Sequence, residues 1–308
     1  MRRERCRARS GWRHKRRHRG GGEPRGGLRA RGRGGRIPAS GWNRGGDPAD
    51  STCGRGGWSG RSLVSQPTLL AVLAHPDDEV LCAGTLLAQR AAGSRVVILW
   101  LTRGEMTDAW GPLPTAEVAE RRMELGMQVA QCLGVEGRFL SFPDSAVQAT
   151  PEAGDEVARV MAEIKPSGLI TWGDAWTRGF RHPDHQATGK IARDAVNFAR
   201  IAKVVAPEQP HRAFCPIFTL RGVHSSLPTV ALDVGGYADK IFEVAEIYRR
   251  AIGFGAPEWI EGRLRSAGGR WDRDLVEEFD AWETGSGLVD RLLPHRNGPF
   301  FHHPEREG

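Results

Sequence analysis

The sequence lacks several features that define common classes of protein. Its 308 residues contain no stretch of 18 continuous apolar residues, so no segment is predicted to cross a membrane. The five cysteines are widely spaced and form no C-x-x-C pair, which argues against a disulfide framework and favours a reducing compartment, the cytoplasm. No G-x-S-x-G motif is present, and this excludes the usual serine-hydrolase pattern.

A dinucleotide-binding fingerprint is also missing. No G-x-G-x-x-G follows the first predicted strand, and His75-Pro76-Asp77 occupies that turn instead. Carboxylates at this turn would repel a pyrophosphate group. The sequence therefore does not predict a nucleotide cofactor.

The positive charge of the chain lies in its N-terminal leader. Residues 1–62 hold 18 of the 44 Lys and Arg but only 4 of the 37 Asp and Glu, which gives them a net charge of +14. The remaining residues have a net charge of −7, and the whole chain has +7. The leader is rich in Gly and poor in aliphatic residues, so we expect residues 1–64 to be disordered. Three interpretations stay open: a misassigned upstream translation start, a solvated tail, or an arm that binds nucleic acid by neutralising phosphates.

Apolar strands and amphipathic helices alternate from residue 68 to residue 252, which predicts a Rossmann-like, three-layer α/β/α domain with a mostly parallel sheet over residues 65–254. The predicted strands are 68–74, 95–101, 138–142, 168–172, 214–220 and 230–234, and the predicted helices are 81–91, 115–133, 151–164, 185–204 and 237–252. Residues 255–308 are expected to form an extension packed on this domain, with a helix near 272–282 and a frayed end.

Two His/Asp clusters follow predicted strands, where open parallel sheets bind their ligands. The first is the run from His75 to Glu79, and the second is the run from Arg181 to His185. Acidic residues in the first run could merely cap a helix. Together, however, the clusters offer His75, Asp78 and His185 as three ligands with a fourth position open, the pattern of a catalytic zinc site. Fe²⁺ is the alternative metal for such ligands.

Three motifs at these positions resemble one known family. Ala74-His75-Pro76-Asp77-Asp78-Glu79, Thr102-Arg103-Gly104-Glu105 and His182-Pro183-Asp184-His185 are similar to the motifs of the PIG-L/LmbE-type N-acetylglucosaminyl deacetylases. This family includes deacetylases of the mycothiol, bacillithiol and glycosylphosphatidylinositol pathways. The resemblance covers roughly residues 68–252, and it implies a Rossmann-like fold and zinc-dependent hydrolysis of an N-acetyl group.

The resemblance also implies roles for the residues around the metal. The three ligands proposed above would bind zinc, and Asp77 would be the general base that deprotonates the attacking water. His182 would stabilise the oxyanion and protonate the leaving amine. Asp184 would hold a histidine in its working tautomer.

The resemblance assigns substrate contacts as well. Arg122 stands where relatives carry a substrate-binding arginine, although the adjacent Arg121 leaves the register open and both could lie on a solvated helix face. Asp144 matches an aspartate that binds sugar hydroxyls. Some relatives carry a tyrosine where this chain has Phe180, and Arg181 is one candidate to replace its hydroxyl.

The predicted reaction is hydrolysis of an acetamide on a small amino-sugar conjugate, such as N-acetylglucosaminyl-inositol or N-acetylglucosaminyl-malate. An amidase acting on a larger glycoconjugate or thiol conjugate is the enzymatic alternative. A protein that binds nucleic acid through its leader is the alternative from another class, but it leaves both His/Asp clusters unexplained.

Overall fold

A computed structural model describes residues 66–174 and 181–293. The leader 1–64, Phe180 and the His/Pro-rich C-terminal end, all of them subjects of predictions above, lie outside these residues.

The described residues form one sheet of eight strands. Its order is β3-β2-β1-β4-β5-β7-β6-β8, in which β1 to β5 run parallel and β7 is antiparallel to both of its neighbours. This confirms the prediction of a mostly parallel sheet. The strands are β1 (Thr68–Leu73), β2 (Arg95–Thr102), β3 (Glu136–Phe142), β4 (Gly168–Trp172), β5 (Ile217–Leu220), β6 (Thr229–Asp233), β7 (Val276–Ala281) and β8 (Gly287–Val289).

Helices cover both faces of the sheet. They are α1 (Ala83–Ala91), α2 (Thr115–Leu133), α3 (Pro151–Ile164), α4 (Pro183–Phe198), α5 (Ala202–Val205), α6 (Ala238–Ile252) and α7 (Pro257–Trp271). Helices α1, α2, α6 and α7 share one hydrophobic core, and α3, α4 and α5 share the other. The three layers of the predicted fold are thereby confirmed. Among the described residues, no helix combines the length and the apolar character that crossing a bilayer requires.

Strand β1 shows why its sequence is apolar throughout. Leu69, Ala71 and Leu73 enter the core on one face, whereas Leu70 and Val72 enter the core on the other. A strand buried on both faces has no polar side, and its sequence reads as a continuous hydrophobic run.

The predicted boundaries agree with the structure for α2, α3 and β4. The predicted helix 185–204 is different, because α4 begins at Pro183 and ends at Phe198, and a separate short helix follows. His182 caps α4, with its Nδ1 accepting a hydrogen bond from the amide of Asp184 at 3.3 Å. Histidine is not a common N-cap residue, so the sequence pattern does not indicate a helix start at Pro183.

The prediction of a helix near 272–282 is wrong. Residues Val276–Ala281 form β7, which is completely buried between β5 and β6. Three acidic residues made this segment look exposed, but each has a partner that allows its burial. Glu277 binds the first turn of α1, Glu278 pairs with Arg270, and Asp280 pairs with Arg221. Within the described part of the chain after residue 255, β7 is thus an interior strand of the sheet.

Candidate active site

The loops after β1, β2 and β3 and the first turn of α4 meet at the carboxyl edge of the parallel strands. They surround a cavity of about 280 Å³, called the small cavity below. Seven of the nine residues that the sequence nominates line it: His75, Asp77, Asp78, Arg122, Asp144, His182 and His185. Asp184 is buried against His75, and Arg181 lines a neighbouring cavity instead.

Asp78 is fixed in one orientation by hydrogen bonds. Its Oδ2 accepts the amides of Ala74 at 2.9 Å and His75 at 3.0 Å, and it also accepts the Trp172 indole at 3.3 Å. Its Oδ1 lies 3.1 Å from Nε2 of His185, whose ring stacks on Trp172 with centroids 3.7 Å apart. Burial disfavours the charged carboxylate, but His185 and His75 outweigh burial and hold the pKa of Asp78 below its usual range.

The two ring nitrogens of His75 face different partners. Nδ1 lies 3.9 Å from Oδ2 of Asp78, whereas Nε2 lies 3.1 Å from Asp184 and 3.2 Å from Asp144. Burial lowers the pKa of His75, but the hydrogen bonds to Asp144 and Asp184 and the charges of Asp78 and Asp77 raise it to about 10. A histidine that binds a metal through one nitrogen commonly holds a carboxylate with the other, and Nε2 of His75 faces such carboxylates in Asp184 and Asp144.

The donor atoms at the small cavity fit a divalent metal. Ligand atoms of His75, His182 and His185 lie within 4.8 Å of one another, as do those of His75, Asp77 and Asp78. Imidazole nitrogen and carboxylate oxygen suit Zn²⁺ and also Fe²⁺. More than one ligand set is therefore compatible with this geometry, and the set that the sequence nominates stays a prediction.

Asp184 links His75 to the loop after β3. It is fully buried, and its carboxylate accepts the amides of Ser145 at 2.7 Å and Val147 at 3.1 Å in addition to facing His75. One side chain therefore orients both a candidate ligand and a cavity wall. The exposed ring of His182 lies with its centroid 4.6 Å from that of His75. Burial lowers the pKa of His182, and the neighbouring His75 and His185 lower it further.

Asp77 forms an ion pair with Arg122. Nη2 of Arg122 donates to Oδ2 of Asp77 at 2.7 Å, and the arginine side chain is 3% exposed. Burial raises the pKa of Asp77, and the charge of Asp78 adds to this, while Arg122 opposes both. Arg121 points outward and pairs with Glu117 at 2.7 Å, so Arg122 is the arginine of this pair that faces the site.

The middle motif supports this ion pair and the neighbouring loop. Gly104 adopts φ +69°, and a Cβ atom there would lie 2.6 Å from Nε of Arg122. Glu105 accepts the amide of Asp144 at 3.0 Å, and Asp144 in turn accepts the amide of Met106 at 2.8 Å. The glycine thus leaves room for the arginine, while the glutamate fixes the position of Asp144.

The sequence did not reveal the role of Glu79, for which helix capping was the one alternative considered. Glu79 is fully buried and accepts hydrogen bonds from the Trp100 indole at 3.0 Å, the amide of Asp77 at 3.1 Å and the hydroxyl of Tyr248. Burial raises its pKa to about 7 despite these bonds. Tyr248 lies 169 residues further along the chain, so no local pattern could have revealed this contact.

Residues 70–196 match the family described as GlcNAc-PI de-N-acetylase, PIG-L. Diacetylchitobiose deacetylase of Thermococcus kodakarensis is 33% identical over 46% of this chain and 56% of its own length. The 1D-myo-inositol 2-acetamido-2-deoxy-alpha-D-glucopyranoside deacetylase of Streptomyces scabiei is 32% identical over 42% of this chain and 48% of its own length. The chain thus spans about half the length of these curated relatives.

Solved structures share the fold at lower identity. N,N'-diacetylchitobiose deacetylase from Pyrococcus horikoshii has a TM-score of 0.64 at 20% identity, over 71% of this chain and 84% of that one. The 4-carboxy-2-hydroxymuconate hydratase of Pseudomonas putida KT2440 has a TM-score of 0.59 at 19% identity, over 74% of this chain and all of the other. A fold shared with a hydratase does not identify the reaction. The matched residues 70–196, however, contain all three motifs, and this part of the chain is therefore similar to the PIG-L family of de-N-acetylases.

Proposed function

We propose that the protein is a metal-dependent N-deacetylase that hydrolyses the N-acetyl group of an N-acetylglucosamine-type conjugate to acetate and a free amine. The observation that carries this proposal is the position of the Asp77 carboxylate, which lies on the same small cavity as His75, Asp78, His182 and His185. A carboxylate beside a metal-type cluster can accept the proton of an attacking water. The names of the curated relatives point to the same class of reaction.

His75, Asp78 and His185 would hold the metal, with Zn²⁺ as our first choice and Fe²⁺ as the alternative. When bound, the metal supplies a Lewis acid and lowers the pKa of water toward about 7. The stacking of His185 on Trp172 and the four hydrogen-bonding partners of Asp78 orient two of these ligands before any metal arrives. Preorganised ligands of this kind favour a defined coordination geometry.

Asp77 would take the proton from the attacking water. Its ion pair with Arg122 opposes the effect of burial and favours the carboxylate form that a base requires. Its backbone is also held, because its amide donates to the buried Glu79. Arg122 therefore acts on the base in this proposal, in addition to any contact with substrate.

His182 would donate to the oxyanion that develops on the acetyl carbonyl and then pass a proton to the leaving amine. Its imidazole is exposed beside the ring of His75, where a bound acetamide would lie. Asp184 would keep His75 oriented, and the other oxygens of the cavity wall, including Asp144, would receive the hydroxyl groups of the sugar. The buried thiols of Cys82 and Cys215 accord with our proposal that the enzyme works in the cytoplasm.

Acetate release by the full chain loaded with Zn²⁺ tests this proposal. The substrates are N,N'-diacetylchitobiose and the inositol conjugate of N-acetylglucosamine. We expect Asp77→Asn to lose roughly a hundredfold or more in kcat with its metal content unchanged, because general-base catalysis contributes about that much. The matched control is Asp239→Asn on the exposed face of α6, which should keep full activity. An Asp77→Asn variant as active as wild type would refute the assignment of the base, and absence of acetate from both substrates with wild type would count against the reaction.

A further inference from the structure

A second cavity adjoins the candidate active site. It has a volume of about 450 Å³ and is called the apolar groove below. Asp78, His185 and Phe254 line both the groove and the small cavity, so the two spaces meet at the predicted metal ligands. A molecule whose acetamide occupies the small cavity can therefore extend directly into the groove.

The groove presents large apolar side chains to solvent. Val223 is 85% exposed, Trp259 51% and Phe254 41%, and the rings of Phe254 and Trp259 lie with centroids 6.2 Å apart. Of the seven large hydrophobic side chains exposed within the described ranges, these three line the groove and a fourth, Met106, lines the small cavity. A concentration of exposed apolar surface around one site is typical of a binding surface.

Four arginines line the groove, Arg181 among them, and the other three are engaged within the protein. Arg221 donates to Asp280 at 2.5 Å, Arg270 forms a two-point contact with Glu278, and Arg263 donates to the carbonyl of Leu81. An anionic ligand would have to compete with the acceptors that these three arginines already contact, and a polyol would find few polar side chains beside Phe254 and Trp259. The side chains of Val223, Phe254 and Trp259 therefore provide mainly apolar contact to a ligand.

We propose that the apolar groove binds an alkyl or aryl aglycone of the N-acetylated amino sugar, whose acetamide lies in the small cavity. This inference rests on the proposed function and names the class of its substrate. It differs from the polar inositol conjugate expected from the sequence, since the ring pair of Phe254 and Trp259 provides a platform for a hydrophobic group. Trp259 is the main specificity-determining residue of this platform.

A series of alkyl glycosides of N-acetylglucosamine tests the proposal. With methyl, butyl, hexyl and octyl glycosides, kcat/KM of the full chain should rise by about threefold to fourfold for each methylene that enters the groove. In Trp259→Ala, the ratio of kcat/KM for the octyl and methyl glycosides should fall by roughly tenfold or more. Ile201→Ala is the matched control, because Ile201 is 46% exposed and lies outside both cavities. Equal kcat/KM for methyl and octyl glycosides, or the same slope in wild type and Trp259→Ala, would overturn the proposal.

A binding experiment separates this inference from the reaction. Butyl and octyl β-D-glucopyranosides have no acetamide, and calorimetry measures their affinity whether or not the protein hydrolyses anything. Tighter binding of the octyl compound to wild type, lost in Trp259→Ala and kept in Ile201→Ala, supports the groove; equal affinities refute it. If no N-acetylated glycoside releases acetate, the proposed function is refuted. The calorimetry with butyl and octyl glucopyranosides then tests on its own whether the groove binds an alkyl group. Val223→Asp places a charge at a largely exposed position of the same groove and serves if Trp259→Ala does not fold.

Discussion

Replacing Arg122 by methionine distinguishes two roles for this residue. The family resemblance implies that Arg122 contacts substrate, whereas the structure shows it buried and paired with Asp77 at 2.7 Å. A side chain that contacts only substrate can be replaced with little effect on the stability of the protein. Removing one member of a buried ion pair leaves the other charge without compensation, and Arg122→Met should therefore destabilise the protein before any substrate is added.

The size of the effect follows from the contacts of the guanidinium group. Removing one partner of a buried ion pair costs about 3–5 kcal/mol. The guanidinium carbon also lies 5.9 Å from the Tyr248 ring centroid, a contact that contributes about 0.5–2 kcal/mol. Nε and Nη1 of Arg122 are buried without a hydrogen-bond partner among the described residues. Removing such donors stabilises the folded state by about 1–3 kcal/mol, which offsets part of the loss. We expect a net loss of about 2–4 kcal/mol in the free energy of unfolding.

Urea unfolding of chelator-treated protein measures this loss without interference from a metal. Arg121→Met is the matched control, because the adjacent Arg121 pairs with Glu117 on the surface, where such pairs contribute about 0–1 kcal/mol. Adding Asp77→Asn to Arg122→Met removes the unpaired charge and should recover part of the stability. If Arg122→Met costs no more than Arg121→Met, or if the double variant recovers nothing, the reasoning from a buried ion pair is refuted.

Three further changes test other parts of the structure. Gly104→Ala should reduce stability and activity more than Gly111→Ala, because both glycines have a positive φ but only Gly104 packs against Arg122; equal losses measured by urea unfolding would contradict this. Glu277→Ala leaves two amides of α1 without partners and should cost about 2–5 kcal/mol in urea unfolding, with a smaller loss in Glu277→Gln, which keeps one acceptor. Removal of metal by a chelator should abolish activity and lower Tm, and Zn²⁺ or Fe²⁺ should restore both; an unchanged Tm would argue against a bound metal.

The parts of the fold that sequence reasoning predicted well are those with strong local signals. The continuous apolar run of β1 and the paired start signals of α3, Thr150 at the N-cap and Pro151 after it, can be recognised without knowledge of their neighbours. The His/Asp clusters can be recognised for a similar reason, because the first follows β1 almost directly and the second lies between β4 and α4. The loops at one edge of a parallel sheet then had to converge.

The parts that were missed depend on partners far along the chain. Strand β7 contains three acidic residues among its six, and these look like the solvated face of a helix until Arg221, Arg270 and the amides of α1 are placed beside them. Glu79 likewise has the appearance of a capping residue until Tyr248 is known to contact it. The pattern of polar and apolar residues predicts which side chains are exposed, but it does not show which distant group will form a hydrogen bond or ion pair with a buried polar side chain.

The position of β7 between β5 and β6 has a consequence for the order of events during synthesis. The first turn of α1, directly after the His75 loop, receives its capping carboxylate from a residue 193 positions later. Because the N-terminus leaves the ribosome first, the loop that contains His75 is made long before Glu277 can accept the amides of α1. The nascent domain must therefore remain without its finished sheet until nearly all of the described residues have been made. Contacts of such long range also slow folding in a released chain, so completion of the site is a late step whether folding begins during or after synthesis.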